Sequence, residues 1–205
     1  MVALGTTTAH AAEIKVIASA AVKEILLDLI PAFEKSSGHK AITIWAGTEA
    51  ITKRISDGEV VDIVLIAAPN IDKLISEGRL VAGTRADVAK SGIGVALRAG
   101  LAKPDISSGE AVKKAVLAAK SVAYSSGPSG FYMEGLFRRL GIADEIKGKL
   151  KQTPTGVFVG SIIASGEAEI GFQQVSELIR HPGIDYVGPL PADVQEITVF
   201  AAGLH

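Results

Sequence analysis

The chain has 205 residues, with 21 Lys and Arg against 22 Asp and Glu and a formal net charge of -1. Hydrophobic residues make up 48% and aromatic residues 5%, which excludes a disordered chain; with no basic stripe or stacking platform, nothing points to a nucleic-acid binder. Cysteine is absent, which excludes a disulfide framework, a thiolate metal site and a cysteine nucleophile, and no apolar run approaches the ~18 residues of a bilayer span.

Residues 1–11 read MVALGTTTAHA. Ala9-His10-Ala11 has the small-x-small form of a signal-peptidase site, although no basic segment precedes it. This stretch is expected to be the remnant of a truncated secretory signal, which places the protein in the periplasm.

Ile14 to Ala18 is a short β-type run. Val22 to Lys35 follows as a helix, with Val22, Ile25, Leu26, Leu29 and Phe33 on one face, and Ser36-Ser37-Gly38 stops it. Ala41 to Ala46 is a second strand; Thr48 opens a helix that Gly58 ends. Val61 to Ala67 is apolar nearly throughout, as for a strand buried on both faces, and Ile71 to Glu77 is a helix closed by Gly78. The pattern is β-α-β-α-β-α, an open parallel sheet.

The spacing then changes. Strands are expected at Gly92 to Arg98, Ser121 to Tyr124, Glu169 to Phe172 and Asp185 to Val187. Helices are expected at Gly109 to Lys120, Phe131 to Leu140, Ala143 to Leu150, Val157 to Ser165 and Val175 to Ile179. Gly188-Pro189-Leu190-Pro191 reads as a linker before a last strand, Glu196 to Gly203. A terminal strand reached through a linker can return to the first lobe. The expected organisation is lobe I over 12–85 plus 196–205 and lobe II over 86–195, a two-lobe α/β fold with parallel-sheet lobes and a hinge that closes on a ligand.

Ligands of such sheets bind outside the carboxyl ends of the strands. The loops there are Ser19-Ala20-Ala21, Gly47-Thr48-Glu49, Ala67-Ala68-Pro69, Ser125 to Gly130, Thr155-Gly156-Val157 and Gln173-Gln174. Most lead into a helix N-terminus and carry small hydroxyl or glycine residues. Converging helix N-termini make an anion site without Lys or Arg, because their first N–H groups lack intrahelical acceptors. Each hydroxyl read singly is an ordinary N-cap; the shared position at strand ends makes an oxyanion cleft the better reading.

No metal-ligand spacing occurs: His39 and His181 sit in turns, His10 in the leader and His205 at the end. Glu49 is a carboxylate on a cleft loop but reads more simply as a first-turn residue favourable to the helix dipole. Gly92-Ile93-Gly94 lacks the third glycine of a dinucleotide fingerprint, and no phosphate loop, nucleophile elbow or zinc motif is present. The reading calls for no cofactor.

Taken in order, several stretches resemble the periplasmic solute-binding proteins of the molybdate type, which serve ABC transporters. They are the Ser19 loop, Trp45-Ala46-Gly47-Thr48, Asp62-Ile63-Val64, Val81 to Arg85, Gly127 to Tyr132 and Gly166 to Phe172. The resemblance covers about residues 12 to 205. It implies the two-lobe type II binding-protein fold, a small anionic ligand between the lobes, an ABC permease as membrane partner, and a monomer. It also implies ligand contacts from Ser19 and Ala20, Thr48, Ser129 and Gly130, Gly156 and Val157, and Gln174. The molybdate binders carry a tyrosine where this chain has Gln173-Gln174, so the resemblance allows a different, larger anion. They also continue past the last strand with a helix packed on lobe I, whose absence would expose apolar surface there. One branch of the family, with the same SSGPSG and GFQQVSEL wording, resembles aconitate isomerase. That rival activity needs a base that moves a proton between carbons, for which Glu49 and Tyr132 are the candidates.

Overall fold

The computed structural model describes residues 11–205, so the expected secretory remnant lies, but for Ala11, outside the described residues. β1 (Glu13–Ser19), β2 (Lys40–Ala46) and β3 (Ile63–Ala67) are parallel, with β1 in the middle. α1 (Lys23–Ser37) follows β1 through a 3-10 turn at Ala20–Val22, and Gly38 ends it in the left-handed region at φ 74°. α2 (Thr48–Ser56) and α3 (Ala68–Ser76) cover one face of this half-sheet, burying Ile51, Ile55, Ile71 and Leu74 against Ile17, Val64 and Ile66.

The sheet continues through β4 (Ala86–Arg98) and β9 (Ile197–Leu204). β9 pairs antiparallel with β3 on one side and with Ala86–Gly92 of β4 on the other. From Ile93 onward β4 pairs with β7 (Ile170–Gln174). The second half-sheet then runs through β5 (Val122–Tyr124) to β6 (Leu150–Gln152), parallel to one another, while β8 (Ile184–Pro189) flanks β4. α4 (Gly109–Ala118), α5 (Pro128–Arg139) and α6 (Ala143–Ile146) pack Val112, Met133, Phe137 and Ile146 on one face. Phe137 sits edge-on between Tyr124 and Phe172, at 6.4 and 6.0 Å. α7 (Val159–Ala164) and α8 (Val175–Leu178) pack Val159, Ile163 and Leu178 on the other.

The order of elements matches the sequence reading, and the lobes carry antiparallel strands as well as parallel ones. β4 begins at Ala86, not Gly92, because pairing with β9 makes a strand of the polar ADVAKS stretch, which has no apolar pattern of its own. Leu150–Gln152 is a strand added parallel to β5, where the helix from Ala143 was expected to run on. Gly188-Pro189 ends β8 instead of starting a linker; Pro189 lacks an N–H, which an edge strand tolerates. α5 starts three residues early, with Pro128 in its first turn.

α1 has no fully buried residue. Leu29 is 56% and Phe33 42% exposed. Between α1 and the sheet residues Ile14, Val16 and Leu65 runs an apolar groove of about 260 Å³.

Candidate functional site

A cavity of about 160 Å³ lies where the carboxyl ends of the strands of both half-sheets meet. That is well under the roughly 300–1,000 Å³ of drug-sized ligand pockets, so the ligand is small. One wall is Ser19–Ala21 and Trp45–Thr48; the other is Ser125–Ser129, Thr153, Gly156–Phe158, Gln173–Gln174 and Glu177. The walls are close: a Cβ on Gly47 would stand 3.9 Å from Thr155 Cγ2. Outside the cavity, Arg180, just past α8, reaches across to Glu24 at 3.7 Å and Asp28 at 3.9 Å on α1.

Two helices point their N-termini into the space. α2 starts after Gly47 and α5 after Gly127, both glycines line the cavity, and neither N-cap residue has a side chain to cap its helix. At α2 the first N–H groups are left for a ligand; at α5 Pro128 has no N–H and the Gly130 N–H is taken by Ser125 Oγ, which leaves that of Ser129, and both positive dipole ends favour an anion. Four buried hydroxyls stand beside them. Ser19 Oγ accepts the Ala21 N–H at 3.3 Å, and Thr48 Oγ1 accepts the Ala67 N–H at 3.5 Å. Each oxygen has an acceptor role already, so each hydroxyl proton is free to donate. Ser125 Oγ accepts the Gly130 N–H at 3.1 Å and meets Ser129 Oγ at 2.8 Å. Either hydroxyl of this pair can be the donor, and Ser129 lines the cavity.

The structure brings Ser19, Ala20, Thr48, Ser129, Gly156, Val157 and Gln174 to this cavity. Gly130 stands behind it: its N–H bonds Gly127 O at 2.9 Å and Ser125 Oγ, and a Cβ there would overlap Ser125 O at 1.6 Å. Its part is the tight turn that delivers Ser129. The Val157 N–H bonds Pro154 O at 3.0 Å, so Val157 and Gly156 form the rim. The Gln174 carboxamide bridges Thr198 Oγ1 at 2.8 Å and, with its nitrogen toward β4, Ser91 O at 3.0 Å. It ties the cavity floor to the two strands that link the halves.

Neither candidate base is in the cavity. Glu49 is exposed and receives Asn70 Nδ2 at 3.3 Å. Tyr132 donates its hydroxyl to Val194 O at 2.9 Å and lies under Arg139, 4.9 Å from the ring centre. His181 is more than a turn residue: its ring is half-buried, meets Ser161 Oγ at 3.1 Å and fills the space over Gly160.

Three polar lining residues were missed, Lys23, Thr153 and Glu177, while Gln173 was read as part of its loop. Lys23 is the cation of the wall. Gln173 caps α7, accepting the Val159 N–H at 2.8 Å. Thr153 is buried, and its Oγ1 has no hydrogen-bond partner among the described residues. A buried hydroxyl left unpaired is costly unless something else satisfies it. It lies just past β6, the strand mistaken for helix, so its loop was never read as a strand end. Glu177, half-buried in the first turn of α8, is the carboxylate of the wall. Burial pushes its carboxyl up to about 7, against the opposing pull of the Gln173 side chain and the Gln174 N–H. Reading one turn past Gln174 would have found it. Among the described residues no cluster of three His, Asp or Glu could hold a metal ion.

The family model for bacterial extracellular solute-binding proteins matches residues 14–205. The chain is 36% identical over 195 residues to the aconitate isomerase of a Pseudomonas species, covering 92% of this chain and 74% of that one. It is 30% identical over 188 residues to the molybdate-binding protein ModA of Azotobacter vinelandii, covering 88% of this chain and 73% of that one. Among solved structures, the periplasmic molybdate-binding protein of Azotobacter vinelandii superposes with a TM-score of 0.77 at 22% identity, over 93% of this chain and 84% of that one.

Proposed function

The chain belongs to the bacterial extracellular solute-binding proteins, and from that premise we propose that it captures a small oxyanion between two lobes and delivers it to an ABC transporter permease. The observation that carries this is the pair of helix N-termini, α2 and α5, facing one cavity with the Ser19, Thr48 and Ser129 hydroxyls beside them. Such a site neutralises an anion with dipoles and neutral donors. A relative at 30% identity that is named for molybdate binding supports the ligand class. The proposed lobes are 12–85 with 196–205, and 86–195, hinged where β4 and β9 cross between them. The protein works in the periplasm, as a monomer, with no nucleic-acid partner.

Purified protein in a thermal-shift panel tests this: molybdate, tungstate, sulfate, phosphate, citrate, and cis- and trans-aconitate. An anion at 100 times its dissociation constant adds about 2.7 kcal/mol to stability, a plain rise in Tm. Stabilisation by one or more of these supports the reading, and no shift with any of them overturns it.

A second reading is an isomerase that shifts a double bond in a tricarboxylate. The relative at 36% identity is named for that activity, and Glu177 supplies the carboxylate in the cavity that the chemistry requires. Selective stabilisation by the aconitates, followed by interconversion of their cis and trans forms, would establish it.

A further inference from the structure

Among the polar side chains that line the cavity, hydroxyls, carboxamides and Lys23, Glu177 is the one acid. The two helix ends, the four hydroxyls, Thr153 and Lys23 all suit an anion. Ionised Glu177 does not: it is an acceptor only, and it lines the same cavity as the anion. Protonated, the same group is one more donor.

We propose that Glu177 holds a proton whenever the cleft holds its anion, so that ligand capture is coupled to the uptake of one proton. This rests on the oxyanion reading above. The proton comes from solvent and stays on a Glu177 oxygen; no bond of the ligand changes.

The surroundings of Glu177 fit this role. Burial alone already brings its carboxyl to about 7 in the empty cleft, so near neutrality it exchanges a proton readily. Gln173 and Gln174, on the strand that leads into α8, line the same wall, and Gln173 is held by the Val159 N–H. The charged neighbours are few. Lys23, at the start of α1, shares the cavity wall. β7 and α7 carry no titratable residue. β4 meets α8 at Ser91 and Gly94, and its charged residues Asp87, Lys90 and Arg98 lie at other positions. After α8, Arg180 turns outward to Glu24 and Asp28, and His181 turns to Ser161.

The sign follows from linkage. An anion that binds the protonated form raises the proton affinity of Glu177. Binding is therefore strongest below its free-state value, and weakens by about tenfold per pH unit as pH rises beyond about 7.

The test is titration calorimetry with sulfate, molybdate and trans-aconitate, none of which titrates between about pH 6 and about pH 8. Each titration is run in two buffers of different ionisation enthalpy, which counts protons directly. In the native protein, about one proton is taken up per anion bound at the alkaline end, and affinity falls with pH. In Glu177→Gln, which keeps a donor in place, proton uptake vanishes and affinity is level across the range. Anion binding with no proton uptake in the native protein, or an unchanged pH slope in Glu177→Gln, overturns the proposal and leaves the oxyanion reading standing. No binding of any of the three by either protein overturns both. Should the variant not fold, the proton count on the native protein decides alone.

Discussion

At the scale of single residues the cavity is a set of small donors whose other bonds are already made. Ser19 and Thr48 each accept a backbone N–H, so Ser19→Ala and Thr48→Ala each remove one donor to the anion. A hydrogen bond to a charged group contributes about 1.5–3 kcal/mol, which corresponds to roughly 10- to 150-fold in Kd. We expect losses of that size by calorimetry with Tm lowered only slightly; unchanged Kd in both variants would remove these residues from the site. Thr153→Val is a sharper test. Its Oγ1 makes no internal bond among the described residues, so the isosteric change leaves the unliganded protein as stable or more so. The expected outcome is a Tm equal to or above the native value, together with weaker anion binding. A fall in Tm at unchanged affinity would mean that the hydroxyl serves the fold. Ser19, Thr48 and Ser129 were legible in the sequence because a hydroxyl just past an apolar strand is a local pattern. Thr153 was not, since its strand, Leu150–Gln152, owes its existence to pairing with β5.

At the scale of elements the important fact is that α2 and α5 both have glycine at the N-cap, so that no N-cap side chain takes their first N–H groups. A serine or aspartate at either N-cap would satisfy the same N–H groups that an anion uses. Gly47 has φ of -74°, which any residue adopts, and a Cβ there would have room, with its nearest neighbour 3.9 Å away. Gly47→Asp is thus expected to leave the helix intact or strengthen it, since an acidic N-cap adds about 0.3–1 kcal/mol with the dipole. Anion binding should nevertheless disappear, because the new carboxylate occupies the site and repels the ligand. Retention of both Tm and affinity would show that the α2 terminus does not face the anion. The strand and helix sequence was read from periodicity, and it failed where tertiary pairing overrides local pattern, at polar Ala86–Gly92 and at β6. The loops that frame the cavity kept their places because glycine and proline punctuate them.

At the scale of the whole molecule the two halves are joined by β4 and by the segment that leads into β9, and held by polar contacts of unequal weight. Gln195 sits at the crossing: its Oε1 accepts the Ile93 N–H at 2.8 Å, and its Nε2 donates to Ile93 O at 3.0 Å and Leu190 O at 3.1 Å. Arg180 spans the outer edge of the cleft to Glu24 and Asp28, at 3.7 and 3.9 Å, from a side chain that is 64% exposed. Exposed ion pairs of this length contribute at most about 1 kcal/mol and fade with salt. Removing Gln195 instead leaves backbone groups of the crossing without partners, at about 1–3 kcal/mol. Arg180→Ala is therefore expected to change Tm little, and to change anion affinity by less than about fivefold, a difference that disappears in high salt. Gln195→Ala should lower Tm by several degrees, because the crossing that both half-sheets share loses its fixed geometry. The reverse ranking, with Arg180 dominant and Gln195 silent, would mean that closure is governed by the outer ion pairs and not by the strands that run between the lobes.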